Sequence, residues 1–255
     1  MKSMTTKHQI VAVLLLLCFT SAFCAGSSAA TPFPAEGTYD FYIYSELAGS
    51  NSFTSSVKNN ILSIVSSTSL AFGEYSLEID SKTQVDATTL NLIEFSYKGV
   101  EGDVMQMSGI ARTIGDTLEG TMVQNETTFP SKVLTDIQKT VIFESYVAEH
   151  EILLAQKFLA SGEDFKEIIF FYPSDFTLTG SMMSIESDIE LETKIGAVLC
   201  TKISVSLQGG TPFFSYIDKE ANIPIYMDFP GVNTEIFHRS YYGDEAQPKY
   251  FRPTK

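Results

Sequence analysis

Apolar and polar residues alternate along one long stretch of the chain. Met183, Ile185, Ile189, Leu191 and Ile195 fall on one side of an extended backbone, with Ser187 and Thr193 among them. Ser184, Glu186, Asp188, Glu190, Glu192 and Lys194 fall on the other. A period of two predicts a strand with one dry face and one wet face. At about 3.3 Å per residue it runs for about 40 Å, and strands of that length call for a twisted, curved sheet. Gly196 turns the chain into a second strand, whose inner face is expected to carry Leu199, Thr201, Ile203, Val205 and Leu207. Lys202 then points outward, where it can meet the acidic row across the ladder.

The same reading extends to both sides of this ribbon. Tyr39, Phe41 and Ile43 alternate with Asp40, Tyr42 and Tyr44 to give a first strand, aromatic on both faces. Residues 52–71 mix helical spacing (Val57, Ile61, Ile64, Val65) with a Ser/Thr/Val/Ile content that favours strand, and strand is the reading adopted. After a turn at Phe72-Gly73, Tyr75, Leu77 and Ile79 alternate with acidic and small residues. Further strands are predicted over 89–98, 103–112 and 117–123, punctuated by Gly99, Gly102, Gly115 and Gly120, as in an antiparallel meander. Lys166 to Tyr172 (KEIIFFY) reads as a strand buried on both faces. Segments 213–218, 223–229 and 232–239 continue as short antiparallel strands.

Between the two strand-rich parts the pattern changes. Phe129-Pro130-Ser131 opens a helix-compatible stretch, and residues 145–161 are the best helix in the chain. At 100° per residue, Val147, Ile152, Leu154, Ala155 and Phe158 gather on one side, while Glu149 and Gln156 lie opposite. Gly162 is a natural stop. Glu151 breaks the rule by projecting into the middle of the apolar arc. A carboxylate there is costly unless it is paired or protonated. Either it reaches out to water or it points into a cavity and holds a polar group. Met105 and Met107 share a strand face, and Met183 sits in the long ribbon; methionine suits adaptable apolar pockets as well as ordinary cores. The candidate ligand-binding residues are therefore Glu151, Phe158, Met105, Met107 and Met183.

The N-terminus carries an export pattern. Lys2 and Lys7 precede the apolar run IVAVLLLLCF (10–19), and small residues follow. The run is shorter than the roughly 20 residues that span a bilayer, and no later segment is longer. The predicted organisation is a cleavable signal over 1–26, with a cut up to residue 30, a linker over 27–36, one β-rich domain over 37–240 and an extended tail over 241–255. Bulky Phe23 before Cys24 argues against a lipid anchor. Cleavage leaves Cys200 alone, so stability must come from burial and not from an internal disulfide, which suits a periplasmic protein. The formal charge of −14 disfavours nucleic acid and anionic membrane surfaces.

Chemistry-bearing motifs are sparse. Outside the signal the histidines are His150 and His238, with no second helical histidine beside Glu149-His150-Glu151 and no paired cysteines, so no metal site is predicted. There is no GxSxG elbow, and the string Ser55-Ser56-Val57-Lys58 has no companion KTG. No phosphate loop or dinucleotide fingerprint appears. Asn125-Glu126-Thr127 is a glycosylation sequon, with meaning only in a eukaryotic secretory host. The flanks of Cys200 offer no positive charge to activate it. The reading is that the chain is not an enzyme and needs no cofactor.

The order of elements, strands then a helix then long hairpins, resembles the periplasmic half-barrel proteins of the LolA/LolB lipoprotein-carrier type and related uncharacterised periplasmic families. The ending FFSYIDKEANIPIYMDFPGVNTEIFHR (213–239) is similar to those families in its strand, acidic turn and IPI strand. The resemblance covers roughly 37–239. It implies a mainly β (α+β) fold, a strongly curved antiparallel sheet or half-barrel wrapping one or two helices around an apolar cavity. It also implies a carrier of a lipid or other hydrophobic ligand. The alternative is a structural or protein-interaction module of the cell envelope with a filled core.

Overall fold

In a computed structural model, residues 33–102, 105–144, 146–207 and 210–243 are described, Met105 by its backbone alone. The segments predicted as signal and most of the linker and tail lie outside them. Fifteen strands form one sheet. They are β1 (Glu36–Ile43), β2 (Glu46–Lys58), β3 (Ile61–Phe72), β4 (Tyr75–Asp86), β5 (Leu92–Glu101), β6 (Met105–Ile114), β7 (Thr117–Gln124), β8 (Thr127–Leu134) and β9 (Thr140–Ile142). After the helix α1 (Glu149–Leu159) come β10 (Phe165–Tyr172), β11 (Thr177–Thr193), β12 (Gly196–Leu207), β13 (Phe213–Asp218), β14 (Pro224–Phe229) and β15 (Thr234–His238). A helical turn, α2 (Arg239–Tyr242), follows.

The sheet order is two meanders joined through β1 and β15: β8 back to β1, then β15 back to β9. All neighbours pair antiparallel except β9 and β10, which are parallel. The fold is thus mainly β, but the expected half-barrel is corrected: the sheet is open, ending at β8 and β9, and is not strongly curled. One 11-residue helix, about 16 Å long, is too small to wrap fifteen strands around itself.

Local sequence explains the meander. Residues 52–71 are extended as predicted, but folded into a hairpin at Asn59 and Asn60, whose φ values of 52° and 60° suit a two-residue turn. Asn125 and Glu126 do the same between β7 and β8. The helix-compatible reading at Phe129-Pro130-Ser131 is overturned: these residues lie in β8. Pro130 is tolerated because β8 is an edge strand.

The β11–β12 ribbon forms, but its faces switch. A bulge between Ile185 and Ser187 shifts the register, so Met183 and Ile185 oppose Val205 and Ile203, whereas Ile189 and Leu191 oppose Cys200 and Val198. One inserted residue reverses the side-chain parity. Leu199, expected inside, is half exposed, and Cys200 is buried instead. Lys202 meets Glu186 at 3.8 Å as expected from the acidic row, and its ammonium also lies 4.2 Å from the Phe214 ring centre.

The helix covers one face of the sheet, the inner face. Phe158, Leu154 and Ala155 pack with Met183, Ile203 and Val205 in one apolar cluster. The opposite face has its own aromatic row, Tyr42, Phe237, Tyr226 and Tyr216. It is closed by Tyr242 of α2, by Leu191 and by Cys200. Arg239 locks α2 to β1 through two hydrogen bonds to the buried carboxylate of Asp40, one of them 3.0 Å long.

Candidate functional site

Ahead of α1, Phe143, Glu144 and Tyr146 line two hollows on the inner face. The larger, about 480 Å³, is walled by Phe143, Tyr172, Leu207, Phe213, Phe229 and Ile236. Phe213 and Phe229 stack at 4.6 Å between ring centres, so the wall is built largely of aromatic carbon. Exposed Val232 stands at this hollow.

The smaller hollow, about 250 Å³, lies over β4, β5 and β6. Strand parity builds it. Tyr75, Leu77 and Ile79 of β4 share a face with Tyr97 and Glu101 of β5 and Met107 of β6. Tyr97 leans over Gly109: a Cβ there would stand 2.5 Å from the tyrosine ring. Tyr146 separates the two hollows and lines both. Glu144 accepts a hydrogen bond from the Ser174 backbone N–H at 3.1 Å, which fixes a carboxylate at the smaller hollow. Burial, then the nearby Glu144 and Asp175 carboxylates, push the Tyr97 hydroxyl up to about 12.

A third feature is the start of α1. Glu149, His150 and Glu151 are all essentially buried, at 0, 0 and 3% exposure. Glu149 was expected on the open side of the helix. It is covered because sheet residues flank both sides of the first turn. On one side stand Thr83, whose Oγ1 shares a hydrogen bond with His150 Nε2 at 3.0 Å, and Asn51 and Ser66 beside Glu149. On the other, Ser215 donates to Glu151 Oε2 at 3.2 Å. Burial raises Glu149 to about 7 and Glu151 to about 8, the hydroxyls and Asn51 only partly opposing it. Burial likewise lowers His150 to about 3. At mildly acidic pH, above the His150 value and below that of Glu149, the turn is held as a largely uncharged polar layer.

The predicted ligand-binding residues are spread out. Met107 lines the smaller hollow. Phe158 and Met183 share the apolar cluster under the helix. Glu151 sits at the buried turn beside Ser215. The side chain of Met105 lies outside the described residues. The sequence reading missed Tyr75, Tyr97, Glu101, Glu144 and Tyr146 as site residues; the shared parity of Tyr97, Gly99 and Glu101 in one strand was the available signal. Among the described residues no group of three or more His, Cys, Asp or Glu side chains is placed to hold a metal ion.

No protein-family model matches the chain, and no curated protein matches it. Among solved structures it is similar to a DUF1089 family protein from Pseudomonas aeruginosa, with a TM-score of 0.42 and 11% identity, over 71% of this chain and 90% of that one.

Proposed function

We propose that the chain is an exported, periplasmic binding or carrier protein for a lipid or other hydrophobic ligand. The observation that carries this reading is the hollow of about 480 Å³ beside the helix entry, with its wall of Phe143, Tyr172, Phe213 and Phe229. That volume falls in the usual range of small-molecule sites, and its lining is mainly apolar with few polar groups. The basic–apolar–small N-terminus supports export. In this reading the inner face is gently concave around α1. Thr83 of β4 and Ser215 of β13 stand six strands apart in the sheet, about 29 Å if it were flat, yet bond to the adjacent residues His150 and Glu151.

The test is native mass spectrometry and solvent extraction of purified 31–255. Co-purified lipid, lost in Phe229→Glu, is the expected result. A protein that purifies empty and fails to take up a fluorescent acyl probe would refute the proposal. The second reading, an envelope interaction module, is favoured by the open edge strand β8 with its exposed Phe129 and Leu134. It would show as a protein partner in crosslinking, with no lipid.

A further inference from the structure

We propose that the smaller hollow is a second site, one that binds a small organic cation such as a quaternary or primary amine. This does not rest on the hydrophobic-carrier reading, which concerns the other hollow.

Three tyrosines, Tyr75, Tyr97 and Tyr146, and Phe95 contribute rings to the chamber, and Glu101 and Glu144 contribute carboxyl groups. Among the described residues, no lysine or arginine lines it. Aromatic faces attract a desolvated ammonium through the ring quadrupole, and combining several rings is the recurrent way to hold quaternary ammonium groups. Carboxylates at the same chamber add direct charge attraction.

Each part is held in place. Glu144 is anchored by the Ser174 N–H at 3.1 Å. The Tyr97 ring lies against Gly109 on one side and stacks with Phe95 at 5.7 Å. Tyr75 and Tyr146 are neighbours, with ring centres 6.5 Å apart and planes tilted by 42°. Glu101 is opposite Leu77 in the β4–β5 ladder, so it points to the same face as the rings. Ile79 and Met107 supply an apolar floor. The volume, about 250 Å³, lies just under the usual range for drug-sized ligands, so the fit is to a compact cation, not a long chain. An anion is disfavoured by both carboxylates and by the chain's overall charge of −14.

The experiment titrates the purified protein with choline and with its uncharged carbon isostere 3,3-dimethyl-1-butanol, read by calorimetry and ligand-observed NMR. Choline should bind about tenfold or more tightly than the isostere. Glu101→Gln and Tyr97→Leu should each weaken choline several-fold while leaving the isostere nearly unchanged for Glu101→Gln. Glu101 is the safer variant because it ends a strand and is only half buried. Thermal melting of each variant checks the fold. Equal affinity for the isostere, no choline binding at millimolar concentration, or undiminished choline binding by folded Glu101→Gln would each overturn the proposal. Uptake of an acyl probe in the larger hollow tests the carrier reading separately and bears on neither outcome.

Discussion

Replacing Glu151 by glutamine keeps the shape of the side chain and its contact with Ser215 but removes the ability to ionise. In the native protein this carboxyl is raised from 4.5 to about 8 because it is buried. A raised native pKa means that the folded state holds a proton that the unfolded state releases. The group's contribution is therefore complete below about pH 4.5 and is lost as pH climbs through about 8. The gap corresponds to about 5 kcal/mol if the site stays dry, and less where the turn opens to admit water. Urea denaturation followed by circular dichroism, repeated from about pH 5 to about pH 8, measures it. Glu151→Gln should match the natural protein within about 1 kcal/mol near pH 5 and exceed it by about 3 kcal/mol near pH 8. Two stability curves that run parallel across that range would refute the assignment of a buried, protonated carboxyl at the first turn of α1.

The acid side runs in the opposite sense. Burial lowers His150 to about 3 and His238 to about 4, so their stability contribution is present above about pH 6.5 and falls away as pH drops. His150→Asn should shallow that decline, again by urea titration. Arg239→Ala leaves the buried Asp40 carboxylate without its fork and should cost about 3 kcal/mol or more, seen as a lower denaturation midpoint. Gly109→Ala puts a methyl 2.5 Å from the Tyr97 ring and should cost about 1–3 kcal/mol while shifting the Tyr97 resonances in NMR. An unchanged Tyr97 spectrum would show that the ring does not rest there.

Much of the sheet was legible because alternation reports burial directly. The strand over 75–86 follows from apolar residues at every second position, and 196–207 was recognised as a strand although its tip buries the other face. What escaped has specific causes. The Asn59–Asn60 hairpin joins two strands so rich in serine and threonine that no change of pattern marks the turn. Pro130 mimics a break because its tolerance depends on being at an edge, a property of the whole sheet. Helical projection assumes one buried face, and α1 is covered on both sides of its first turn, so Glu149 passed as a surface residue. Tyr146 was read into the helix predicted over 145–161, but α1 runs only over Glu149–Leu159 and Tyr146 precedes it.

The bulge in β11 makes a single ribbon the shared wall of two rooms: its base furnishes the chamber under α1 and its tip the aromatic room behind the sheet. Length along this ribbon is consequently quantised. Removing Glu190 would put Ile189 and Leu191 on opposite faces, whereas removing the extra residue Glu186 would only regularise the ladder and keep every pairing beyond it. Natural variation in its length should therefore concentrate at the bulge and at the Ile195–Gly196 tip, where a residue can be lost without changing which room its neighbours face.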